Sequence, residues 1–165
     1  MATLEEYGKK ILTREVKNKR TMGYFKNYEG FNLDILNKII NEINLFNLND
    51  VTYFVKKMVD NIDNEMTWHI DDAIIMDVTE EEINNNIKIS ENKQLVYHNQ
   101  IPIYTLIINE NNYNDDFTGG ELIFVDDYKY IPKQGSYILF DSCEVYKTNK
   151  ITSGMKKSIL IKFYK

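Results

Sequence analysis

The chain has 165 residues, 43% apolar and 13% aromatic, enough to bury a core within one domain, and its net charge is −5. No Lys/Arg cluster is dense enough to follow a phosphate backbone, so a nucleic-acid partner is not indicated; no stretch approaches a membrane span, and the first residues lack the basic and apolar regions of a secretory leader. The single cysteine, Cys143, excludes an internal disulfide and a multi-cysteine zinc site, and together these features point to a soluble, intracellular, cytoplasmic protein.

Thr3 with Glu6 forms a capping-box pattern, and Leu4, Tyr7, Ile11 and Leu12 follow at helical spacing, which predicts a first helix over about residues 4–17. Gly23 to Gly30 breaks that periodicity and reads as a loop or short strand. Asn32 then caps a second helix, whose Leu33, Leu36, Ile39, Ile40 and Ile43 make an apolar stripe suited to packing on a sheet. From Val51 the pattern turns to β. Val51 to Val59 is β-branched and aromatic, Asp60 to Asn64 is turn-like, and Met66 to Met76 forms a second extended segment.

Thr79 with Glu82 repeats the capping signature and marks a short solvated helix, within an insertion running from Val78 to about Gln100. Ile101 to Ile108 is a strongly apolar strand, followed by a polar loop from Asn109 to Asp116. Gly119-Gly120 is a tight turn feeding a strand to Val125, and further strands are expected at Tyr128–Ile131, Gly135–Phe140, Val145–Thr148 and Lys156–Tyr164. Short strands punctuated by Gly, Asn and Asp, after two helices, predict an antiparallel sandwich or jelly roll with helices against one sheet. The expected organisation is a single domain over 1–165, with helices in 1–50 and the β core in 51–165.

Near the middle stands Trp68-His69-Ile70-Asp71. A His and an Asp two apart on an extended segment project from one face, so an imidazole nitrogen and a carboxylate oxygen can grip one ion. Mixed N/O ligation with open positions is what a non-haem Fe(II) oxygenase requires, with a second His supplied from far along the chain. Alone, the pair also describes a strand-end His bonded to a neighbouring carboxylate.

Five segments in order now carry a resemblance: Trp68-His69-Ile70-Asp71; Tyr104-Thr105-Leu106-Ile107-Ile108; Phe117-Thr118-Gly119-Gly120-Glu121-Leu122-Ile123-Phe124; Pro132-Lys-Gln-Gly135-Ser-Tyr-Ile-Leu-Phe140; and Gly154-Met155-Lys156-Lys157-Ser158. From about Val51 to Lys165 the sequence resembles the 2-oxoglutarate- and Fe(II)-dependent dioxygenases, in particular their prolyl 4-hydroxylase-like branch. The resemblance implies a double-stranded β-helix, Fe(II) held by His69 and Asp71, and 2-oxoglutarate as cosubstrate, with ascorbate as reductant. It implies that Lys156 binds the far carboxylate of 2-oxoglutarate, that Ser158 donates to the same carboxylate, and that Tyr104 and Thr105 line the pocket. It places the insertion after Val78 where relatives carry a cover over a peptide or protein substrate.

The departure is at the distal ligand. Collagen-type relatives carry their second His ten residues before the cosubstrate lysine, and here that residue is Tyr146. The other histidine, His98, lies before the Gly-Gly turn, out of place for the role. Three outcomes stay open: a phenolate ligand, which with Asp71 favours Fe(III); a two-point site of His69 and Asp71 completed by water; or a catalytically silent fold retained as a binding module.

Overall fold

The computed structural model describes residues 20–69, 89–91 and 102–164. The expected helices at 4–17 and 79–86, Asp71 and His98 lie outside these residues. Twelve strands are described: β1 (Thr21–Tyr24), β2 (Thr52–Asp60), β3 (Met66–His69), β4 (Ile89–Glu91), β5 (Tyr104–Asn109), β6 (Phe117–Gly119), β7 (Leu122–Phe124), β8 (Lys129–Tyr130), β9 (Ser136–Asp141), β10 (Tyr146–Thr148), β11 (Ile151–Gly154) and β12 (Lys156–Tyr164). One helix, α1 (Leu33–Ile43), precedes β2.

The helix forms where its sequence signals say it should. Asn32 Oδ1 accepts from the Ile35 N–H at 2.9 Å, and Asn44, at φ 56°, closes the other end by donating its N–H to Ile40 O at 3.0 Å. Leu36, Ile39 and Ile40 are buried, and they share a core with Leu106 and Ile108 of β5 and with Ile159, Ile161 and Phe163 of β12.

The strands form a large sheet of order β1-β9-β5-β12-β2-β4, a smaller one of order β3-β10-β7-β8, and a two-stranded β11-β6 ribbon. Pairing within the sheets is antiparallel except at the edge, where β2 and β4 run parallel. Alternation along the large sheet separates two cores. Odd residues of β12 face α1, whereas Ile107, Ile138, Phe140 and Leu160 face Leu122, Phe124 and Tyr146 of the small sheet. The result is mainly β with two facing sheets, as the strand pattern predicts for a jelly roll.

Candidate active site

Between the two sheets lies a cavity of about 140 Å³. The large sheet contributes Lys56, Met58 and Asp60 from β2, Ile107 from β5, and Lys156, Ser158, Leu160 and Lys162 from β12; the small sheet contributes Met66, Leu122, Tyr146 and Thr148. The β12 residues share the cavity because they are two apart along one strand. Their partners on β2 are set by register: Lys156 stands opposite Asp60, Ser158 opposite Met58, and Leu160 opposite Lys56.

Lys156 is the most deeply held charge, with 3% of its surface exposed. Its Nζ donates to the Gly120 carbonyl at 2.8 Å, which leaves further protons on an ammonium that carries three. Burial lowers its pKa to about 8, against the opposing pull of the Asp60 and Glu121 carboxylates. Gly120 makes this placement fit: it sits at φ +73°, and a β carbon there would meet Ile151 Cδ1 at 2.8 Å and Lys156 Cδ at 3.0 Å. Beside it, Glu121 accepts from Tyr113 Oη at 2.6 Å and from Asn149 Nδ2 at 3.3 Å. Burial pushes the Glu121 carboxyl up, but those hydrogen bonds win and hold it below the usual range.

Ser158 is also buried and stands in register with Asn109 on β5. Asn109 donates through Nδ2 to Tyr130 Oη at 2.7 Å and to Ser136 Oγ at 3.2 Å, a polar network behind the cavity wall. A buried ammonium with protons to spare and a hydroxyl on the same face make a donor set that fits a carboxylate.

The opposite wall carries the departure from the expected ligand pattern. Tyr146 is 3% exposed, lines the cavity, and pairs across the β3–β10 ladder with His69. Its ring packs on Phe124 at 5.8 Å and edge-on against Phe140 at 5.0 Å between centroids. Lys147, next along β10, turns to the other face, where its Nζ lies 4.8 Å from the Trp68 ring centroid. The ladder shifts register between Tyr146 and Thr148, which lets Thr148 pair with Met66.

No family model and no curated protein matches the sequence. Solved structures do. The viral collagen prolyl hydroxylase of Paramecium bursaria Chlorella virus-1, in a truncated form, superposes with a TM-score of 0.52 at 12% identity, covering 97% of this chain and 82% of that one. The same hydroxylase in its 2-oxoglutarate complex gives 0.49 at 15% identity, covering 97% and 87%. An oxidoreductase of the 2-oxoglutarate–Fe(II) oxygenase family from Burkholderia pseudomallei gives 0.47 at 10% identity, covering 78% of this chain and 51% of that one. The chain therefore spans about half the length of that last protein. The fold is like that of the viral collagen prolyl hydroxylase.

Within this fold the residues singled out by sequence divide into three groups. Lys156, Ser158 and Tyr146 line one cavity, and His69 is in register with Tyr146. Asp71 lies outside the described residues. Tyr104 is not brought to the cavity: it stacks on Phe46 at 5.3 Å and packs with the core under α1. Thr105 is fully buried on the opposite face of β5, the face of Ile107. Neighbouring residues on one strand point to opposite faces, so Tyr104 and Thr105 do not line the pocket together, and neither is among the described residues that line the cavity.

Other cavity residues escape sequence reading. Lys56 and Lys162 look like surface lysines in strands, and only the β2–β12 register turns them inward. Burial lowers the Lys56 pKa, as does the Lys162 charge, with Asp60 opposing. The Gly120 carbonyl is equally silent in sequence, since the Gly-Gly turn explains itself sterically.

Proposed function

We propose that this protein is a non-haem Fe(II)- and 2-oxoglutarate-dependent dioxygenase, a hydroxylase of prolyl hydroxylase-like type, with an atypical metal site formed by His69, Asp71 and Tyr146. The observation that carries this reading is Lys156, a buried ammonium in a cavity whose facing wall holds Tyr146 in register with His69. A structural lysine has little reason to accept the desolvation of that position; one that meets a carboxylate recovers it through a charge-assisted bond.

Lys156 binds the far carboxylate of the cosubstrate, and Ser158 donates to it from the same strand face. His69 and Asp71 would hold the metal, with the Tyr146 oxygen as the third protein ligand. When bound, Fe(II) and 2-oxoglutarate supply dioxygen activation coupled to oxidative decarboxylation, the chemistry that hydroxylates an unactivated C–H bond. The protein's share is placement and dryness: Leu122, Ile107, Leu160 and Met66 wall the cavity with apolar surface. Two anionic ligands in place of one favour Fe(III), so turnover is slow compared with a two-histidine site. Ascorbate would serve as the reductant. The substrate is a peptide or protein, by analogy with the prolyl hydroxylases that share the fold.

Succinate formation from purified protein given Fe(II), ascorbate and 2-oxoglutarate tests this reading, with Asp71→Ala as the control that removes the metal. A second reading, a catalytically silent fold that binds a partner, is favoured by one observation, the close packing of Tyr146 between Phe124 and Phe140. It expects no succinate from the parent under any supply of iron.

A further inference from the structure

We propose that the cavity serves two anions, and that Lys56 and Lys162 bind a carboxylate on the prime substrate while Lys156 holds the cosubstrate. The proposal rests on the reading of Lys156 given above and names the substrate class for the same site.

Charge supplies the argument. The described lining contains three lysines and one carboxylate, Asp60, while the facing sheet presents only Met66, Leu122, Tyr146 and Thr148. Asp60 stands in register with Lys156, so the available negative charge is concentrated at that end. Lys162 lies six residues further along β12, roughly 20 Å at strand spacing. Lys56 pairs with Leu160 and Lys162 with Phe54, which makes the two lysines diagonal neighbours on one face, about 7–8 Å apart at their backbones. Like charges placed this way repel. Among the described residues neither has a salt-bridge partner. Both are half-buried, so water screens them less than it screens a surface pair.

Nothing among the described residues requires this pair. The same face of β2 and β12 carries Phe54, Met58 and Leu160 at neighbouring positions, and apolar residues would pack there without repulsion. Two ammoniums that line one cavity as diagonal neighbours make a site for an anionic oxygen group. With about 140 Å³ enclosed, the cavity has room for a small acid at the Lys156 end, and the half-exposed lysines mark where a second molecule enters.

The test titrates the whole protein with glutarate, which lacks the 2-oxo group and does not turn over. Once glutarate is saturating, it is titrated with three further probes: the blocked peptide Ac-Gly-Glu-Gly-NH2, its Gln counterpart, and citrate. The Glu peptide or citrate should bind, and Lys56→Gln/Lys162→Gln should weaken that binding by about tenfold or more while moving glutarate by less than about threefold. Lys56→Arg/Lys162→Arg keeps the charge and should retain binding, which separates lost charge from lost folding. Binding of the Glu peptide alone identifies an acidic side chain as the source, and binding of citrate alone identifies a free acid. The proposal is overturned if Glu and Gln peptides bind alike and citrate does not bind, or if the double Gln variant binds as the parent does. Loss of glutarate along with the probes in that variant also overturns it, since the pair and Lys156 then do not serve separate anions. Lys156→Gln reads the cosubstrate assignment separately: unchanged glutarate binding there sinks the assignment of Lys156 and leaves the Lys56/Lys162 result standing or falling by itself.

Discussion

Tyr146 pairs directly with His69 across the β3–β10 ladder, so the residue found where the sequence reading expects a distal histidine stands in register with the expected proximal one. That relationship turns a sequence anomaly into a chemical question about a phenol in register with a proposed metal ligand.

If the Tyr146 oxygen is the third ligand, protein loaded with iron and left to oxidise should show a visible phenolate-to-iron absorption band. Tyr146→Phe should lack the band while keeping the ring contacts to Phe124 and Phe140, and should lose no more than about 1.5 kcal/mol of stability, the range of one hydrogen bond. A band of equal strength in both proteins would remove Tyr146 from the coordination sphere.

If Lys156 holds the cosubstrate carboxylate, its depressed pKa of about 8 makes that binding proton-linked. A carboxylate partner favours the ammonium, so 2-oxoglutarate affinity should be flat below pH 8 and should fall about tenfold for each pH unit above it. Calorimetry in buffers of different ionisation enthalpy should detect proton uptake above pH 8. Affinity that holds constant to pH 9.5 would contradict the assignment.

Stability of the ligand-free protein carries the same signature with the opposite slope. The native pKa lies below the unfolded value of 10.5, so the unfolded chain binds more protons between about pH 8 and 10.5, and stability contributed through Lys156 rises across that window. The gain is on the order of 3 kcal/mol. Lys156→Met should be more stable than the parent at pH 7, and the difference in melting temperature should close as pH rises to 10. A parent that stays equally far behind at both pH values would show that the lysine is not desolvated as described.

Gly120 offers a route to the same site without altering a charge. Gly120→Ala places a methyl against the Lys156 stem and strains a left-handed backbone, so it should weaken 2-oxoglutarate binding by more than about tenfold and lower stability by about 1–3 kcal/mol. Binding calorimetry with a melting curve alongside separates the two effects. Unchanged affinity in a folded variant would mean that Lys156 does not depend on the turn.

Much of the architecture was legible before any coordinates. Asn32 and the stripe through Leu36, Ile39 and Ile40 define α1 because capping and helical period are local properties. The strand at Lys156–Tyr164 is found as expected, and its alternation already separates Lys156 and Ser158 from Ile159 and Ile161. Register was not legible. It decides that Lys56 faces the cavity while Lys57 does not, and that Tyr104 lies under α1 rather than in the pocket, and it depends on strands distant in sequence. The strand at Ile151–Gly154 was not expected at all, since its residues after Ile151 are exposed and polar and only their pairing with β6 makes them a strand.

The most direct test of the metal-site account compares succinate release by the parent, Asp71→Ala and Tyr146→His, each given Fe(II), ascorbate and 2-oxoglutarate. The account predicts slow release by the parent, none by Asp71→Ala, and a rate raised about tenfold or more by Tyr146→His, which restores the two-histidine, one-carboxylate set. Release by the parent that survives Asp71→Ala, or none from either the parent or a folded Tyr146→His protein, would contradict it.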